Sequence, residues 1–259
     1  FGWIGNVTAC RSLVAMGTEP GGSPWGTLAG LWIVVVAAAA YELSPASVQP
    51  LIMERFAVGP TAASLVVGIM FGTAVVSSIP IGMSLDRVNS RTAIGGAVGL
   101  LVLSGLWGWW ATAAGAFDAL LLSRITGAVA FTVLWNAGAD LIGRTFEAGT
   151  RATAIGVFTA SGTAGFAIGQ VIGPHLVAAF GTGSVFGAYA PIAVVGLSVF
   201  WVASRGRKRA EPRQPSRPDA SDFKRVLTSR RVWHVSLIAF AAYVLFLYSV
   251  GQKYFVLRA

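Results

Sequence analysis

Two ionisable side chains sit inside long apolar runs of this 259-residue chain. Glu42 follows "VVVAAAAY" and Arg124 follows "ALLLS". A carboxyl at such a depth can carry a proton. A guanidinium there costs several kcal/mol unless it is paired, so it is a functional candidate by position alone. Asn136, on the same apolar segment as Arg124, and Gln170, on the next one, offer hydrogen bonds to a passing solute, as do Tyr41 and Trp135. The stretch "PIGMSLDRVNSRTAIGG", residues 80–96, packs Asp86, Arg87 and Arg91 into six residues of a chain that is only 11% charged. Gly82 permits close backbone approach there, and Asn89 tolerates a left-handed turn. Asp140 reaches the far end of the segment that holds Arg124. It can pair with Arg144 four residues on, or with Arg87 or Arg91 across that end. Gly165, Gly169 and Gly173 recur every fourth residue, which makes a smooth stripe for close helix contact, and Pro174 follows to bend the segment.

Other chemistries are excluded. Cys10 is the single cysteine, and His175 and His234 lie on different segments, so neither a disulfide framework nor a metal site is expected. No Gly-x-x-x-x-Gly-Lys loop is present to bind ATP, and no cofactor is implied. The net charge of +9 does not point to nucleic acid, because ten of the nineteen Lys and Arg residues fall in one block, Arg205 to Arg231.

The elements that position these groups are long and apolar. Mean hydropathy is +0.70, and charge is far below the roughly 25% of a soluble domain. A helix needs about 20 apolar residues to cross about 30 Å of hydrocarbon. Seven segments qualify: 28–50, 60–82, 92–113, 116–140, 152–179, 183–203 and 232–251. None alternates like a barrel strand, so the expected class is an all-α integral membrane bundle. Basic residues set the orientation. With the chain start inside, Arg87, Arg91, Arg144, Arg151 and the block at 205–231 are all cytoplasmic, and the short outer connections hold only Arg55. The expected organisation is an N-terminal segment, cytoplasmic or non-native (1–25), a six-span bundle (26–204), a basic cytoplasmic linker (205–231) and a seventh span opening a second bundle (232–259). The chain starts with Phe, Met16 reads better as an initiator, and "YFVLRA" stops just after an apolar run. A partial reading frame is expected.

At residue level the turn after the second segment carries a resemblance. "GMSLDRVNSR" is similar to the signature Gly-x-Leu-Ala-Asp-Arg-x-Gly-Arg-Arg of the major facilitator superfamily. Gly82, Asp86, Arg87 and Arg91 match it, while Ser84, Leu85, Asn89 and Ser90 depart from it. "RITG", Arg124 to Gly127, resembles the family's fourth-span motif, whose Arg is implicated in proton coupling or substrate charge. Gly169 to Pro174 resembles its fifth-span Gly-x-x-x-Gly-Pro core. The resemblance implies twelve helices in two six-helix halves, each built of inverted three-helix repeats, with substrate at the midplane and alternating access between the halves. It implies a latch at Gly82, Asp86, Arg87, Arg91 and Asp140. It makes Glu42, Arg124, Asn136 and Gln170 candidates for coupling or substrate contact, and Gly165, Gly169, Gly173 and Pro174 candidates for packing and gating. The expected protein is a secondary transporter of small molecules in the plasma membrane. It is not an enzyme, its gradient is most often of protons, and the second half of the same protein is needed to complete it. Two other readings stay open. One is a non-transporting sensor or scaffold on the same fold. The other is a seven-helix retinal protein, which the position of Lys253 past the seventh span and the acid-free third segment oppose.

Overall fold

Ser23 starts the first helix, α1 (Pro24–Ser47). Its hydroxyl accepts the Gly26 N–H at 3.1 Å, and Pro24 fills a position where a missing donor costs nothing. A short helix α2 (Gln49–Phe56) follows, then α3 (Pro60–Leu85) and α4 (Ser90–Ala114). The Asn89 side chain caps α4 by accepting the Arg91 N–H at 2.9 Å, and Gly115 ends it in the left-handed region at φ 68°. Next come α5 (Phe117–Thr145), α6 (Ala148–Phe180), α7 (Ser184–Gly187) and α8 (Tyr189–Ala203). This computed structural model describes residues 23–205, together with 228–230, 233, 234, 237, 238 and 241. Cys10, Met16, residues 206–227 and most of the expected seventh span lie outside the described residues. The chain divides into two units, Phe1–Gln214 and Pro215–Ala259. In the second, the Trp233 N–H donates to the Ser229 carbonyl at 3.2 Å, a helical hydrogen bond.

Six helical stretches among the described residues are long and apolar enough to cross a membrane, so the all-α membrane class holds. Their limits differ from the expected ones for physical reasons. The first segment, read as 28–50, runs from Pro24 to Ser47 and breaks before Pro50, which restarts the chain as α2. The fifth extends to Ala148–Phe180, because its polar first turns continue the helix at the membrane boundary. The sixth is interrupted at Ala188, where Pro191 has no N–H to give the Gly187 carbonyl.

Packing within the first unit follows a swap. α1 packs mainly on α6 and α8, while α5 packs mainly on α4 and α3. Exchanging spans one to three for spans four to six reproduces this pattern, as two inverted three-helix repeats require. α1 is the most enclosed span, and α3 is the least, leaving Val75, Val76, Ile79 and Met83 exposed. The glycine stripe faces α1. A Cβ at Gly169 would lie 2.5 Å from the Ala40 carbonyl oxygen, and one at Gly165 would lie 2.5 Å from that of Val36. A Cβ at Gly173 would meet the Ser44 and Ser47 hydroxyls. These three positions let two backbones meet almost directly.

One end of the bundle gathers the start of α1 and two turns. The Trp25 ring stands 5.1 Å from that of Phe146, and the Thr27 hydroxyl donates to the Ala203 carbonyl at 3.4 Å. The Ser90 hydroxyl donates to Asp140 at 2.5 Å, joining the α3–α4 turn to the end of α5. Arg87, Arg91, Arg144 and Arg151 all belong to this end. At the opposite end, Arg55 donates to the Thr112 carbonyl at 2.9 Å and to that of Ala113 at 2.7 Å, placing a cation at the C-terminus of α4.

Candidate functional site

The buried polar centre forms where α1, α3, α4 and α5 meet. Arg124 is fully buried. Its Nε donates to the Val66 carbonyl at 2.9 Å, Nη1 to that of Tyr41 at 3.1 Å and Nη2 to that of Glu42 at 2.6 Å. The guanidinium also lies over the Tyr41 ring, 4.5 Å from its centroid, with the Phe186 ring at 5.8 Å. Thus the charge is balanced by three carbonyl dipoles and two aromatic faces. Among the described residues no ion pair reaches it.

Tyr41 is held by a second chain of bonds. The Ser104 hydroxyl gives its one proton to the Ser123 carbonyl at 2.6 Å. The Tyr41 hydroxyl, 2.6 Å from Ser104 Oγ, is therefore the donor of that contact. Gly127 makes room for the ring, since a Cβ there would stand 2.6 Å from Tyr41 Cε1. The small residue three places after Arg124 thus has a local reason. Glu42 is 2% exposed, and its Oε2 is buried with no hydrogen-bond partner among the described residues. Arg124 is the charged neighbour that acts on it electrostatically, though the guanidinium bonds the Glu42 backbone and not its carboxylate.

The other sequence-derived candidates are placed apart from this centre. Asn136 is half-buried on α5 and donates back to the Thr132 carbonyl at 2.9 Å. Gln170 is half-buried on α6, beside the stripe that meets α1. Trp135 stacks with Phe131 (5.8 Å) and Phe158 (5.1 Å) between α5 and α6. At the basic end, Asp140 pairs with Arg144 Nε at 2.9 Å, the four-residue option, and also accepts from Ser90. Among the described residues no ion pair joins Asp86 to Arg87 or Arg91. Gly82 has open space at its Cβ position. Ser104, Ser123, Ser90 and Arg55 are participants that reading the sequence passed over. Ser104 is one of few hydroxyls in the charge-free run 92–113, and that was the available signal.

A family model described as Major Facilitator Superfamily matches residues 30–257. The chain belongs to the major facilitator superfamily. Among solved structures, the "Crystal Structure of A Bacterial Homolog to Human Lysosomal Transporter, Spinster, in Inward-facing And Unoccupied Conformation" matches with a TM-score of 0.67 at 20% identity, covering 89% of this chain and 56% of that one. At that identity the likeness establishes the fold. This superfamily chain spans little more than half of that relative's length. No curated protein matches it. Membership gives the swap in helix packing its meaning: α1, α3 and α4 form one repeat of the superfamily bundle, and α5, α6 and α7–α8 form the other.

Proposed function

We propose that this chain supplies the first six-helix bundle, and the start of the second, of a secondary active transporter of small molecules. It works by alternating access, moves solutes without making or breaking bonds in them, and draws on a proton gradient. The observation that carries the coupling is Glu42, a carboxyl enclosed in a membrane-spanning bundle with one oxygen unpartnered and Arg124 beside it. A group so placed binds and releases a proton only when the helices around it rearrange, and that linkage is what coupling requires. Asn136 and Gln170, half-buried, face the solute path in this reading. Gly82, Asp86, Arg87, Arg91 and Asp140 act as a latch at the basic end that engages the second bundle. The stripe Gly165, Gly169 and Gly173, with Pro174, keeps α1 and α6 moving as one body. The concentration of arginines at the end where α1 begins supports an orientation with that end in the cytoplasm, and the membrane of this reading is the plasma membrane.

The test uses the complete protein in liposomes carrying the trapped pH dye pyranine, screened against organic cations and anions. A solute that drives proton movement in the wild type and none in Glu42→Gln, while Glu42→Gln still exchanges labelled solute across the membrane, supports the reading. Equal proton movement in both proteins refutes Glu42 as the coupling group.

A further inference from the structure

Pro45 lies inside α1 and has no N–H. The carbonyl that a residue at position 45 would normally bond is four places back, that of Tyr41. Arg124 Nη1 donates to this same oxygen at 3.1 Å. We infer that Arg124 is the donor that replaces the one Pro45 lacks, so that it pins α1 at its proline break and thereby positions Glu42. Three observations support this beyond the single bond. First, the spans hold two other interior prolines with long upstream helix, Pro80 in α3 and Pro174 in α6, which leave the Val76 and Gln170 carbonyls without their helical donors. Among the described residues no side chain donates to either of these carbonyls, so a side-chain substitute is specific to α1. Second, the remaining two bonds of Arg124 tie the same point in two directions, along α1 to the Glu42 carbonyl and across to Val66 of α3. The three bonds leave from three different nitrogens of one rigid plane, a spread that arginine supplies and the single nitrogen of lysine does not. Third, Arg124 stands within two turns of the C-terminus of α1, where backbone carbonyls carry excess negative character and a cation is favoured.

In this assignment Arg124 is a positioning residue, not a solute ligand. Its three donating nitrogens are already engaged with backbone, and its side chain is wholly enclosed. The outer turn of α1, from Glu42 to Ser47, is then free to pivot at Pro45 only when Arg124 lets go. The consequence for transport rests on the reading given above, whereas the helix-mending role does not.

A substitution that restores the missing donor supplies the test. Pro45→Ala gives the Tyr41 carbonyl an ordinary helical partner and so removes the need for Arg124 Nη1. In the complete protein, amide exchange read by mass spectrometry should quicken by at least about tenfold in peptides spanning 38–48 for Arg124→Gln, which loses the charge-assisted bonds to the Tyr41 and Glu42 carbonyls. Pro45→Ala should bring the exchange of Arg124→Gln most of the way back, and Pro174→Ala should not. If Arg124→Gln does not accumulate in the membrane, Arg124→Lys with and without Pro45→Ala carries the same comparison. Failure of Pro45→Ala to restore either variant, or equal restoration by Pro174→Ala, overturns the inference. The same variants go through the pyranine assay. Restored protection alongside a wild type that moves no protons would leave the helix role standing and remove the transport reading. Restored protection with recovered proton movement supports both.

Discussion

Gly169→Ala probes the seam on which the bundle depends. The added Cβ would stand 2.5 Å from the Ala40 carbonyl oxygen, 2.8 Å from Ala40 Cα and 3.0 Å from its carbonyl carbon. Every one of these atoms belongs to the backbone of α1, so no side chain can swing aside. A tolerable carbon–oxygen contact is about 3.3–3.6 Å, so α1 and α6 must part locally by about 1 Å. A gap of that size forfeits about a quarter to a half of each dispersion contact along the seam, and overpacking of this kind costs about 1–3 kcal/mol. For a chain of this size that corresponds to a fall in melting temperature of about 2–12 °C. The control is Gly156→Ala on the same helix, where a Cβ meets nothing within 4 Å. There the exchange of Gly for Ala favours the helix by about 0.5–1 kcal/mol. The assay is thermal unfolding of both variants in one detergent, followed by tryptophan fluorescence. A fall for Gly169→Ala with no fall for Gly156→Ala supports direct backbone contact between α1 and α6. Equal melting temperatures would refute that contact and the role given to the stripe.

Ser104→Ala leaves the Tyr41 hydroxyl without its acceptor in a buried setting and removes the added bond to the Ser123 carbonyl, and should destabilise the protein by about 1–3 kcal/mol in the same assay. Tyr41→Phe with Ser104→Ala should cost less than the two changes summed, because the pair is removed together. Asp86→Asn in the complete protein should leave membrane insertion intact and reduce solute movement, whereas unchanged movement would reduce Asp86 to a residue of the turn.

Much of the fold is written in hydropathy. Runs of about 20 apolar residues have one stable form in lipid, so the six spans of the first unit stand close to where the sequence places them. The ends were harder to place. The break before Pro50 divides what reads as one run, and polar first turns such as "AGTRAT" continue a helix past the hydrocarbon edge. The candidate site was legible only in part. Glu42 and Arg124 stand out because charge is so rare around them, but the partners of Arg124 are backbone carbonyls, which no side-chain pattern displays. The link between Pro45 and Arg124 needs the helix to be seen, since it joins an absent N–H on one span to a side chain on another. Asp140 had three possible partners in the sequence, Arg144, Arg87 and Arg91, and the pair with Arg144 follows from helical spacing while Ser90 donates to the same carboxylate.

The central claim is that a helical bundle of this family couples solute movement to a proton gradient through a carboxyl buried in its first span. Proton flux into liposomes holding the complete protein, measured with an active solute against an imposed pH gradient, tests it most directly. The expected result is solute-driven flux in the wild type that is lost in Glu42→Gln, with solute exchange retained. Flux that is the same in both proteins, or a complete protein that moves no solute from the panel under any gradient, would contradict it.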